Sequence, residues 1–187
     1  VGTQNRSADE SIGAPLERAL RVRLQVFEAT RVRFALVVLR VVRFEEIGAY
    51  YGAETAERLL SAVCRRGLRL LGPDAQHFFL PGGRVAFVFT TDGETARSGA
   101  GREASAARMD PYDVESLAMA LARKACGHLV DGHRVECVVG WAAAPSDGLS
   151  ADDLVYAAEA GAQSTAAFRR VAGSRVPVPD KTRAAVG

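Results

Sequence analysis

The stretch Phe78-Phe79-Leu80-Pro81-Gly82-Gly83-Arg84-Val85-Ala86-Phe87-Val88-Phe89 decides how this chain folds. Two apolar runs, rich in β-forming residues and short for helices, flank a Pro-Gly-Gly break. Gly82 and Gly83 accept positive φ without steric cost, so the break reads as a tight turn. The whole is expected to be a β-hairpin with strands over 76–80 and 85–90.

Upstream of the hairpin, 53–71 has helical periodicity, with Ala56, Leu59, Leu60, Val63 and Leu70 on one face. Gly67 falls on that face too, at about 1 kcal/mol less helix propensity than Ala. Gly72-Pro73 stops the helix. The run 33–42 (RFALVVLRVV) is nearly continuous apolar and is expected to be a central strand covered on both faces, interrupted by Arg40. A short helix over 44–52 ends at Gly52. The first helix, 9–30, carries the stripe Leu16, Leu20, Leu24 and Phe27, with Pro15 in its first turn.

Downstream, 91–111 is rich in Gly, Ser, Ala and Arg without hydrophobic period, and is expected to be a long flexible loop. Ser98 and Ser105 stand among its arginines, where a modification or docking segment is the alternative to a plain disordered insertion. A helix over 113–130 presents Leu117, Leu121, Ala125 and Leu129, and a strand covers 133–143. Ser150 is placed to cap a helix over 151–170. Val176 starts a last short strand, and 1–8 and 179–187 are loose termini. The order is β-α-β-β-α-β with flanking helices. It predicts an α/β (α+β) fold of ferredoxin-like type, one domain over 9–178 with a central mixed or antiparallel sheet.

Of the 187 residues 48% are apolar and 25% are charged, with net charge +2. That is ordinary globular usage and argues against a nucleic-acid partner. No run reaches the ~20 apolar residues of a membrane span, so direct membrane insertion is not expected. No leader is legible, and the expected localisation is cytoplasmic, alone or as the cytosolic part of a larger protein. The three cysteines, Cys64, Cys126 and Cys137, fit no metal spacing. They are expected to be buried, reduced thiols in a reducing compartment.

Several landmarks in order resemble the GGDEF domain of diguanylate cyclases. The segment 12–20 (IGAPLERAL) is similar to the family's T-G-L-P-N-R-R-A-L, and 39–48 (LRVVRFEEIG) occupies its L-D-I-D-x-F-K-x-I-N slot. Tyr51-Gly52 matches the following Y-G. The degenerate signature hairpin is Gly82, Gly83, Arg84, Val85 and Ala86, and 138–148 (VVGWAAAPSDG) resembles the late S-x-G-x-A-x-x-P-x-D-G. Glu159 and Arg170 resemble an Asp and a Lys of the last helix, at altered spacing.

The resemblance implies a nucleotidyl-cyclase palm fold, and the departures imply lost chemistry. The family joins two GTP molecules with the help of divalent metal, which needs carboxylate ligands. The slots of two such carboxylates hold Arg40 and Arg84, and the next signature acid is replaced by Val85. Local charge is thereby changed by about four units, and guanidinium offers no lone pair to a metal. The guanine-reading slots hold Gly48 and Glu57. The inhibitory Arg-x-x-Asp slots hold Pro73 and Gln76.

The expectation is therefore a non-enzymatic regulatory module of bacterial signalling, without cofactor or metal, acting on a protein partner, its own copy or another signalling protein. Arg40, Arg43 and Arg84 are the candidate contacts, able to grip carboxylates bidentately. The plainer reading pairs Arg40 and Arg84 with Glu45, Glu46 or Glu57. A nucleotide receptor holding GTP or c-di-GMP through the same arginines is the alternative. An altered enzyme ranks last, because His77, His128 and His133 show no catalytic pairing by spacing. Trp141 reads as core rather than as a stacking platform.

Overall fold

The computed structural model describes residues 7–91, 111–126, 129–130 and 133–173. Residues 92–110 of the loop expected over 91–111, with Ser98 and Ser105, lie outside these residues, as do His128, the strand expected from Val176, residues 1–6 and 179–187 of the expected loose termini, and the side chains of His133 and Arg170; Ser7 and Ala8 belong to the first helix rather than to a loose end.

The apolar run after the first helix forms β1 (Phe34–Val41), and its alternation sorts two cores. Ala35, Val37, Leu39 and Val41 face α3 (Ala53–Leu71) and α4 (Pro111–Cys126). Phe34, Leu36 and Val38 face α1 (Ser7–Thr30) and α5 (Ala151–Gly173). A strand covered on both faces has no polar face to show, which is why its sequence is unbroken by polar residues until Arg40. The hairpin is β2 (Gln76–Leu80) and β3 (Arg84–Thr90), and β6 spans Cys137–Ala144. The sheet order is β2-β3-β1-β6, and every pairing is antiparallel. This is the expected ferredoxin-like arrangement, with helices on both faces. Of mixed or antiparallel, the sheet takes the second form.

Two close approaches explain glycines inside elements. A Cβ at Gly67 would stand 2.6 Å from the Phe87 ring, so α3 lies directly on β3. A Cβ at Gly140 would stand 1.8 Å from the Ala158 carbonyl oxygen, so α5 rests backbone to backbone on β6. Trp141 is half-buried against the α3/α4 core, as expected. Ser150 caps α5 as expected, its Oγ accepting from the Asp153 amide at 3.1 Å.

Two expectations need correction. The fourth helix stops at Cys126, and Leu129–Val130 (β4) pairs with His133–Arg134 (β5) in a small separate hairpin. Apolar Leu129 and Val130 fit a helix stripe and a strand equally well, so periodicity overran the boundary. Cys126, the last residue of that helix, is bonded to Cys137 of β6, with Cα atoms 6.1 Å apart. These two cysteines are thus a disulfide and not free thiols, and an inference of a reducing compartment from them does not stand. Cys64 is free and buried, and burial pushes its thiol pKa up, against a smaller opposing effect of the Arg65 charge.

The bond closes a short loop, 11 residues in separation, for which chain entropy gives about 3 kcal/mol of stabilisation. Reducing the protein, or Cys126→Ser, is expected to lower the thermal midpoint by roughly 5–10 °C. A midpoint indifferent to reductant contradicts the bond.

Candidate functional site

The site is built at the end of β1. Leu80 pairs with Arg84, so Pro81, Gly82 and Gly83 alone make the turn between β2 and β3. Gly82 and Gly83 have φ of 70° and 67°, the left-handed region that the sequence called for. The Val41 amide donates to the Gly83 carbonyl at 2.9 Å, which ties the turn to the end of β1. Gly83 is buried beneath Phe44, the first residue of α2 (Phe44–Tyr51), and a Cβ there would stand 2.2 Å from the ring. Around Gly82 there is open space.

This closure aligns β1 and β3 so that Arg40 faces Arg84 directly across the ladder. Both belong to the strand positions on the α1/α5 side, continuing Val38 and Ala86. Arg84 is held from two sides: its Nε donates to the Pro81 carbonyl at 2.7 Å, and its guanidinium binds Glu159 of α5 at 2.5 Å. Arg40 is exposed, and its guanidinium has no hydrogen bond or ion pair with any described residue. Like charges opposite each other across a ladder are destabilising, so one carboxylate for two guanidiniums leaves the pair under-neutralised.

The sequence expectations divide at this point. Arg40 and Arg84 come together as expected. Arg43 sits beyond them at the start of α2, in the left-handed region at φ 58°, with Nε 3.8 Å from Glu46. Of the acids expected to neutralise the pair, none pairs with Arg40 or Arg84. Glu46 serves Arg43, and the partner of Arg84 is Glu159. Nothing in the sequence signals that pairing, because the two residues lie 75 positions apart.

Gly48 lies in α2 over Ala56 of α3, one residue before the exposed Glu57, so those two positions are near neighbours. A Cβ at Gly48 would stand 3.8 Å from the Ala56 Cβ, an ordinary contact, so packing does not require glycine there. Pro73 and Gln76 are exposed at the α3–β2 connection, where Pro73 brings no side-chain donor. His77 is exposed on β2, its ring edge-on to Phe79 with centroids 5.7 Å apart. Among the described residues no group of three or more His, Cys, Asp or Glu side chains is placed to hold a metal ion.

Divalent metal does not fit the residues at the β1–β3 end. Two guanidiniums supply no oxygen ligand and repel a cation, and Glu159 is committed to Arg84.

No family model matches the sequence, and none of the curated proteins matches it. Solved structures do match. A sensory box/GGDEF family protein from Caulobacter crescentus CB15 superposes with TM-score 0.64 at 18% identity, over 82% of this chain and 90% of that one. The FimX GGDEF domain from Pseudomonas aeruginosa gives TM-score 0.64 at 15% identity, over 90% and 96%. The diguanylate cyclase SiaD from Pseudomonas aeruginosa, solved in complex with its activator SiaC, gives 0.63 at 13%, over 83% of this chain and 54% of that one. The fold is that of GGDEF domains.

The turn makes a sharp stability prediction. Gly82→Ala meets only the left-handed penalty, about 1 kcal/mol, whereas Gly83→Ala adds a collision with Phe44 and is expected to lose about 3 kcal/mol or more. Urea midpoints of the two variants measure the difference, and equal midpoints contradict the packing.

Proposed function

We propose that this chain is a GGDEF-type domain that does not condense GTP and acts instead as a regulatory module through contact with another protein in c-di-GMP signalling. One observation carries the reading: Arg40 and Arg84 face each other across β1 and β3, in the slots where the resemblance places metal-binding carboxylates. Phosphoryl transfer without a cation to neutralise developing charge loses its main source of catalysis. The fold is kept while the chemistry of the site is gone, and function follows sites rather than folds. Gly48 adds to this, since it can offer no side-chain hydrogen bond to a base. Control of a GGDEF-fold protein by a protein partner has a precedent in the SiaD–SiaC complex.

A second reading, a metal-independent receptor for a nucleotide, is favoured by the exposed Arg40 guanidinium, which has no counter-ion among the described residues. In both readings the Arg pair is the contact.

The test is incubation of the purified chain with GTP and either Mg²⁺ or Mn²⁺, with nucleotides separated by chromatography. No c-di-GMP is expected, and none is expected from the double variant Arg40→Asp/Arg84→Asp, in which Gly48 still offers no contact to guanine. Accumulation of c-di-GMP from the unmodified chain contradicts the reading.

A further inference from the structure

We propose that Arg40 and Arg84 form a metal-independent site for a phosphate-bearing anion, and that Glu159 is its built-in competitor. This rests on the second reading above and specifies its ligand chemistry and its control. The register puts the two residues directly opposite on adjacent strands and on one face of the sheet. Side chains so placed have Cβ atoms about 4.5–5.5 Å apart, and a single phosphate group can span two guanidiniums at that spacing.

The charge count selects the ligand. Glu159 gives Arg84 one carboxylate oxygen at 2.5 Å and leaves Arg40 exposed with no ion pair to any described residue. An external monoanionic carboxylate offers Arg84 nothing that Glu159 does not already supply. A phosphate dianion matches the summed charge of both arginines and presents oxygens to each. Binding therefore exchanges the Arg84–Glu159 contact for contacts from Arg84 and Arg40 to phosphate oxygens.

The same contact gives the site a mechanical consequence. Arg84 joins the hairpin turn, through the Pro81 carbonyl, to α5, through Glu159. Its Nε–Pro81 bond keeps the guanidinium plane oriented whichever anion it faces. Release of Glu159 removes a polar tie between α5 and the hairpin, while the backbone-close packing of Ala158 on Gly140 holds the helix in place. Phosphate occupancy thus alters the charge that α5 presents without unseating it.

Calorimetric titration of the whole chain with inorganic pyrophosphate, at low salt and without divalent metal, tests this. Saturable binding is expected, weakened at least tenfold in Arg40→Ala and in Arg84→Ala. Glu159→Gln is expected to tighten it about three- to fivefold, the upper range for a half-exposed ion pair. Added Mg²⁺ is expected to weaken binding, because it neutralises the ligand that the arginines read. Equal affinity for pyrophosphate, ATP and GTP identifies the phosphate chain as what is read, and a preference for GTP of tenfold or more identifies a nucleotide; both support the site. Arg84→Ala removes two structural contacts, so Arg40→Ala, checked for an unchanged thermal midpoint, is the decisive variant. Absent binding, an Arg40→Ala affinity equal to that of the parent, or a Glu159→Gln variant that binds no better overturns the proposal. A chain that fails here yet makes no c-di-GMP loses this inference alone.

Discussion

The hydrogen bond from the Val41 amide to the Gly83 carbonyl holds the tip of the β2–β3 hairpin against the end of the central strand. The three-residue turn sets where β3 begins, and the bond fixes that beginning beside the end of β1. Gly83 must be glycine for two separate reasons, its positive φ and the Phe44 ring lying on it. From this closure follows the face-to-face placement of Arg40 and Arg84, which no local preference of either residue would produce.

The energetics of that end are those of an incomplete ion network. A like-charged cross-strand pair opposes the ladder that carries it, and the β1–β3 ladder persists because six further residue pairs and two apolar cores support it. Glu159 relieves part of the repulsion, at a half-exposed position where solvent screening keeps the contribution small. The site is thus less a source of stability than a place where the rest of the fold holds an unfavourable charge arrangement in position.

The architecture was legible because hydrophobic period and turn chemistry act locally. The stripe of α1, the nearly continuous apolar run of β1 and the Pro-Gly-Gly turn each identify an element without help from the others. The meeting of Arg40 with Arg84 was legible only through a resemblance that put both in one site. Glu159 was not legible as their partner, because a single acid on an otherwise ordinary helix carries no mark of what it reaches across the sheet. The Cys126–Cys137 bond was missed for a related reason: an odd number of cysteines and a separation of 11 suggest no pairing until β6 is laid beside β1. Packing explained Gly67 and Gly140 after the fact, since one glycine on an apolar face does not reveal what presses against it.

Whether the end of β1 holds a cation is read most directly with a metal ion itself. Titrating ¹⁵N-labelled protein with Mn²⁺ reads, residue by residue, where a divalent ion resides, through paramagnetic broadening of nearby amides. No selective broadening is expected at Arg40, Val41, Gly83, Arg84 or Glu159. Selective loss of those signals at low Mn²⁺ would show a metal site at the end of β1 and contradict that expectation.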